Sequence, residues 1–392
     1  MIGNVEKSFN SLRTYCEREE FMGWDIFDGL NSKVFKSIPI IRSNRLARLV
    51  WIQFFKRSLI NFRKIALVPK EYNPKGLGLF LSGYCNLYYM EPKDEYLEKI
   101  KFLVKEIISL RSTGWSGSCW GYNFDWQARA FFQKKYTPSV VATSFIGEAL
   151  ISAHSILKDE NLLSNIISIS DFIRFDLNKT FDGDSFIYSY TPNDKTKVFN
   201  ASLLGSRMLA EIYNLTKNRD LIIEARKSIV YCCEHQNTDG SWFYGVKKYQ
   251  NWIDSFHTGY NLDCISTYQI LSGDDSFTEH ISRGVNYYLD NFFTDDGVPK
   301  YYHNSIYPVD VHSTAQLIIT LSKLNLLKKH MPIVDKVVLW TIDNMQNKKG
   351  YFNFRKNKFY TIDIPYMRWS QSWMFYALSE YLLNFSNNNN LK

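Results

Sequence analysis

The chain has 392 residues, 45% of them hydrophobic and 22% charged, which supplies either two average domains or one large repeat-built domain. Its net charge of +8 comes from 47 basic against 39 acidic residues, and the Lys and Arg read as scattered over a solvated surface, which argues against a nucleic-acid stripe. Six cysteines form no CxxC pair and no metal-ligand spacing, the first 20 residues lack a signal-peptide core, and no apolar run reaches the ~18 residues of a membrane span. The expectation is a cytoplasmic protein with reduced thiols, no membrane span and no metal.

Residues 1–40 read as an irregular leader that packs on the remainder, with a short helical pattern at 8–20 and a mixed stretch, GWDIFDGLNS, at 23–32. From residue 41 onward a single domain is expected. Helical periodicity predicts twelve helices, at 42–62, 74–90, 93–111, 137–157, 160–176, 198–217, 219–236, 256–272, 276–293, 309–327, 331–346 and 368–385.

Between them runs a repeat. Glycine turns at 183, 240, 297 and 350 are 57, 57 and 53 residues apart, each in a loop rich in Tyr, Phe or Trp. A divergent fifth loop, GSCWGYNFDW, occupies 117–126. Small residues open the helices that follow, at 142, 201, 258, 313 and 371, spaced by 55 to 59 residues. Helix, short turn, helix and long aromatic loop, repeated, predict an all-α (α/α)6 toroid of six helical hairpins. Its inner helices point one way, so their amino termini, which attract anions, ring a common mouth.

Two of these junctions carry an Asp followed by a His, Asp254 with His257 and Asp310 with His312, and the first adds Tyr260 and Asn261. Each Asp is either a general acid or base in a partly desolvated well, or a helix cap. The two His occupy equivalent repeat positions and are expected to face a ligand. Tyr366 and Arg368 precede the last inner helix. Arg368 either clamps a ligand carboxylate or ties down the leader through Asp25 or Asp28. Trp120, Asn123, Asp125, Trp126 and Arg129 form a polar-aromatic loop, and Trp242, Trp252, Trp369 and Trp373 lie at or near junctions. Trp120, Trp242 and Trp369 are expected to stack on sugar, Trp373 to be core. Asp28, Asn200 and Asn261 complete the expected binding set. No Walker loop, Rossmann GxGxxG or Ser hydrolase elbow occurs, so no cofactor is expected.

The stretches GWDIFDGLNS, WGYNFDWQAR (120–129), QNTDGSWFYG (236–245), WIDSFHTGYN (252–261), YPVDVHSTAQ (307–316) and YMRWSQSWM (366–374) carry a resemblance. The chain resembles the toroid superfamily of six-hairpin glycosidases, polysaccharide lyases and sugar epimerases. It looks most like a bacterial group found with capsule and exopolysaccharide biosynthesis, labelled as polysaccharide-biosynthesis or prenyltransferase-like toroids. The set His257, Tyr260, Asn261, Tyr366 and Arg368 is similar to the Asn/His/Tyr/Arg sets of toroidal uronate lyases and epimerases. QNTDGSW also looks like the QW motif of triterpene cyclases, whose Asp-rich acid motif is missing here. The resemblance implies action on a glycan or on an acidic or lipid-linked saccharide, by glycoside hydrolysis or by proton abstraction. A non-catalytic glycan-binding component and an isoprenoid-handling toroid are the alternatives.

Overall fold

The computed structural model describes residues 1–127 and 132–389. Thirteen helices of two turns or more stand out among them: α1 (Ile2–Arg18), α2 (Arg45–Arg57), α3 (Pro74–Met90), α4 (Asp94–Ser109), α5 (Val140–Leu157), α6 (Glu160–Asp171), α7 (Phe199–Thr216), α8 (Arg219–Glu234), α9 (Ser255–Ser272), α10 (Thr278–Phe292), α11 (Val311–Lys323), α12 (Met331–Met345) and α13 (Ser372–Asn389). Helices α3, α5, α7, α9, α11 and α13 pack in that order and close on one another, α13 against α3. The chain is therefore an (α/α)6 toroid, with α4, α6, α8, α10 and α12 outside their inner partners.

The sixth outer position is filled from the other end of the chain. Helix α1 packs on α13 and α12, so the stretch read as leader contributes a structural element to the outer ring. Its Val5, Phe9, Leu12 and Cys16 form the buried stripe that docks it, at the helical spacing of an amphipathic face. Helix α2, read from the sequence as the first helix of the toroid, instead lies across the mouth, against the turn at Asp28–Asn31.

Inner helices are buried nearly all round: in α5 every residue from Val140 to Gly147 is buried. By length and composition α5 passes for a membrane span, but 61% of it is buried in the ring. Small residues allow the crowding. A Cβ at Gly83 of α3 would sit 2.4 Å from the Phe375 ring of α13, and one at Gly259 of α9 would sit 2.5 Å from Gln316 of α11. The repeat glycines Gly183, Gly240, Gly297 and Gly350 all have positive φ, the left-handed turn that glycine adopts without steric cost. Short antiparallel strands, such as Val309–Asp310 with Arg355–Lys356, tie the loops around the mouth.

Candidate active site: an aromatic well at the amino-terminal mouth

Five of the inner helices start with a side-chain cap, or with an extended residue, that turns the chain into the mouth, and α13 continues from the π-helical turn Met367–Gln371. Asn73 caps α3, Ser139 α5, Asp254 α9 and Asp310 α11, each accepting a backbone N–H of the first turn. The second or third residue of five inner helices then faces a common cavity: Lys75, Val141, Asn200, His257 and His312. The cavity holds about 270 Å³ and opens to an outer chamber of about 400 Å³. The two share Phe27, Lys56, Trp126, Tyr190, Tyr244, Trp252 and Tyr302 as walls. Tyr244 and Trp252 stack with ring centres 4.4 Å apart.

Asp254 and Asp310 stand behind the imidazoles, buried and away from the cavity wall. Asp254 Oδ1 accepts the backbone N–H of His257 at 3.0 Å, and Oδ2 pairs with His257 Nδ1 at 2.7 Å and accepts Trp252 Nε1–H at 3.0 Å. The cap and the orientation of the ring thus share one carboxylate. With Nδ1 holding its proton toward Asp254, Nε2 of His257 is the basic nitrogen on the cavity side. Asp310 accepts the backbone N–H of His312 at 3.2 Å, Trp369 Nε1–H at 3.0 Å and an Arg355 N–H at 3.0 Å. It fixes Trp369 as a wall of the well.

His312 is fully enclosed, stacked on Phe256 at 4.4 Å, and its Nε2 lies 2.8 Å from the hydroxyl of Tyr260. Burial, and then the neighbouring Lys75, His257 and Arg368, lowers its pKa well below the ordinary imidazole value, so the ring is neutral. Nδ1 has no partner. A buried N–H without an acceptor costs more than a buried lone pair without a donor, which favours the tautomer with the proton on Nε2. His312 then donates to the Tyr260 oxygen and frees that hydroxyl's own proton for a ligand.

Two cations were not anticipated. The ammonium of Lys75 lies 4.1 Å from the ring centre of Phe145, 5.2 Å from Trp373 and 5.7 Å from Tyr260. Among the described residues it has no carboxylate in salt-bridge contact. Burial and then the nearby Arg368 push its pKa well below the lysine value, against the weaker pull of Asp25. Lys56, over Phe27 at the entrance, is lowered to about 8 by desolvation and by Arg355, with Asp310 opposing. Lys75 lacked a repeat motif of its own; the signal that finds it is its rank, the same place in its helix that His312 holds.

The remaining expected residues divide. Trp126, Asn200, Tyr260, Arg368 and Trp369 line the well with the two imidazoles. Arg368 also grips Asp25 through two hydrogen bonds of 2.5 and 2.8 Å, so it does tie the leader to the ring. Asp28 is held by Arg63 at 2.7 Å, and Tyr366 donates no group to the well because its hydroxyl meets Arg63 at 3.0 Å. Trp120 and Trp242 are core: their indole N–H groups donate to Ile107 and Cys232 carbonyls at 2.7 and 2.9 Å, and neither reaches the cavity. Trp373 is core as well, with its face toward His312. Asn123 joins Asn73 at 2.7 Å, Asp125 accepts the Lys135 backbone N–H, and Asn261 is buried below the well. Arg129 lies outside the described residues. All six cysteines are buried free thiols, and no group of three or more His, Cys, Asp or Glu among the described residues could hold a metal ion.

The fold defines the class to which this geometry belongs, the six-hairpin toroids. An unsaturated glucuronyl hydrolase specific for heparin superposes with a TM-score of 0.63 at 10% identity, covering 100% of this chain and 98% of its own. Cellobiose 2-epimerase from Bacillus thermoamylovorans gives 0.62 at 10% identity over 81% of this chain and 90% of its own. A sugar epimerase from a ruminal bacterium gives 0.61 at 13% identity, again over 81% and 90%. No family model and no curated protein matches the sequence. At such identities the likeness is one of fold.

Proposed function

We propose that this protein is a carbohydrate-active enzyme that moves a proton on a saccharide bearing an acidic group, as an epimerase or a lyase does. One observation carries the choice over hydrolysis: the two carboxylates of the site, Asp254 and Asp310, are spent on backbone N–H groups, indoles and Arg355, while His257 and Tyr260 face the cavity. Glycoside hydrolysis by a carboxylate pair needs both groups on the scissile bond. Proton abstraction next to a carboxylate needs a base, an acid and a cation.

In this reading the aromatic walls take the flat faces of the sugar rings, and Lys75 meets the substrate carboxylate. His257 Nε2 removes the proton from the carbon beside it, and the electron pair spreads into the carboxylate as an enediolate held against the ammonium. Return of a proton from the Tyr260 hydroxyl inverts the carbon. Expulsion of the neighbouring glycosidic oxygen by the same electron pair, with that oxygen taking the Tyr260 hydroxyl proton, would instead cleave the chain. A role in surface-polysaccharide synthesis and a cytoplasmic location belong to the same proposal, resting on the sequence motifs and the cysteine pattern.

The test is incubation with uronate-containing oligosaccharides in D₂O, read by mass spectrometry and NMR. Deuterium at the carbon beside the carboxylate if the carbon is inverted, or loss of its hydrogen with a new double bond if the chain is cleaved, either one abolished in His257→Ala, is the expected result. New reducing ends accompanied by a double bond in the uronate would mark the lyase reaction. New reducing ends with neither deuterium nor a double bond would make the protein a hydrolase, and binding with neither exchange nor product would make it a glycan-binding component.

A further inference from the structure

Residues 33–67, the stretch that carries α2 over the mouth, contain nine Lys or Arg and no Asp or Glu. Removing nine from 47 basic residues leaves 38 against 39 acidic ones, so the rest of the chain carries −1 and the net +8 is concentrated here. The reading of the basic residues as evenly scattered therefore fails for this one stretch, which holds the excess. Arg63 is consumed by Asp28, but Lys33, Arg42, Arg57 and Lys64 are exposed.

The same segment is apolar on the outside. Ile40 is 84% exposed, Ile65 76%, Leu46 68%, Ile60 64% and Val50 61%. Leu46, Val50 and Phe54 follow one another at a spacing of four along the outward stripe of α2, while Ile52 and Phe55 hold the opposite face to the protein. A helix that is apolar on both sides needs cover on both sides. Arg57 lies on the same side of α2 as that stripe, and Lys33, Arg42 and Lys64 are exposed on the flanking parts of the segment, which together match an anionic, apolar-cored layer: the headgroup and acyl boundary of a phospholipid membrane. A protein partner would need acidic groups in register with four separate cations, whereas a lipid surface adapts.

We propose that residues 33–67 dock on an anionic phospholipid surface, the outward stripe of α2 entering the headgroup layer. Leu49, Gln53 and Lys56 of the same helix line the outer chamber, so docking holds the entrance of the well against the bilayer. That orientation would present the site to a saccharide carried on a membrane lipid. This last consequence rests on the carbohydrate reading; the docking does not.

The experiment is co-sedimentation of the full-length protein with vesicles of phosphatidylcholine alone and of phosphatidylcholine with phosphatidylglycerol. Binding to the anionic vesicles at least about tenfold tighter than to neutral ones, and weakened by salt, is expected. The double variant Val50→Asp/Phe54→Asp should lose that binding with an unchanged circular dichroism spectrum, and neither residue touches the well. Ile60→Asp/Ile65→Asp, on the adjoining turn, provides the check should the first variant fail to fold. Wild-type protein that ignores anionic vesicles, or a folded variant that still binds them, overturns the proposal. So does a wild-type dimer in sedimentation equilibrium that either variant converts to monomer, because the face would then belong to a second copy. Loss of vesicle binding with deuterium exchange on soluble oligosaccharide intact would separate this result from failure of the catalytic reading.

Discussion

Lys75 places its amine 4.1 Å from the ring centre of Phe145, with no carboxylate in salt-bridge contact among the described residues. Burial and Arg368 already favour the neutral amine, so the proton leaves below the lysine value of 10.5. Raising the pH discharges the group, and an anionic ligand held by the charged form restores its proton. Affinity for a uronate-containing oligosaccharide should therefore fall as pH rises, at a pH lower than an ordinary lysine gives. Titration calorimetry in buffers of different ionisation heat should register proton uptake on binding. In Lys75→Met both the pH dependence and the uptake should vanish; their persistence would place the anion elsewhere.

Asp254→Asn separates capping from catalysis. Asn caps a helix about as well as Asp, within a few tenths of a kcal/mol, so the cost to stability should be confined to the Trp252 Nε1–H that loses its acceptor, about 1–3 kcal/mol. Its amide, however, would donate toward Nδ1 of His257 and move the ring proton to Nε2, removing the base. Turnover should drop on the order of 10²- to 10⁴-fold, measured as the rate of deuterium incorporation. An equal loss of stability and rate would mark Asp254 as a cap alone.

Trp369 and Trp120 should behave as opposites. Trp369 borders the well and donates to Asp310, so Trp369→Ala should weaken saccharide binding at modest cost to folding. Trp120 is fully buried with its N–H on the Ile107 carbonyl. Trp120→Ala should cost about 3–5 kcal/mol in denaturant unfolding, with the affinity of the surviving folded protein unchanged.

The closeness of the inner helices is testable at one atom. Gly83→Ala would push a methyl group to 2.4 Å from Phe375, in a ring where neither helix can retreat without disturbing the next. A loss of about 1–3 kcal/mol by thermal or urea unfolding is expected. Gly3→Ala, at an open position on α1, serves as the control and should change little.

Periodicity made the architecture readable from the residues alone. The glycine turns and small helix-opening residues recur because every hairpin solves the same packing problem, and helix positions follow from which faces must be apolar. The convergence of His257 and His312 was legible for the same reason, since equivalent ranks in a closed ring must meet. What lay beyond reach depended on contacts between distant parts of the chain. Helix α1 belongs beside α13 because a ring closes its two ends on each other, and local pattern carries no record of closure. Asp254 and Asp310 turn back onto their own helices, while Lys75, Tyr122 and Tyr301 reach the well: a cap and a lining residue differ by two or three positions, and only packing decides which faces the cavity. Trp120 and Trp242 show the converse, aromatic residues in glycine loops that pass as sugar platforms until the core is seen to claim their indoles.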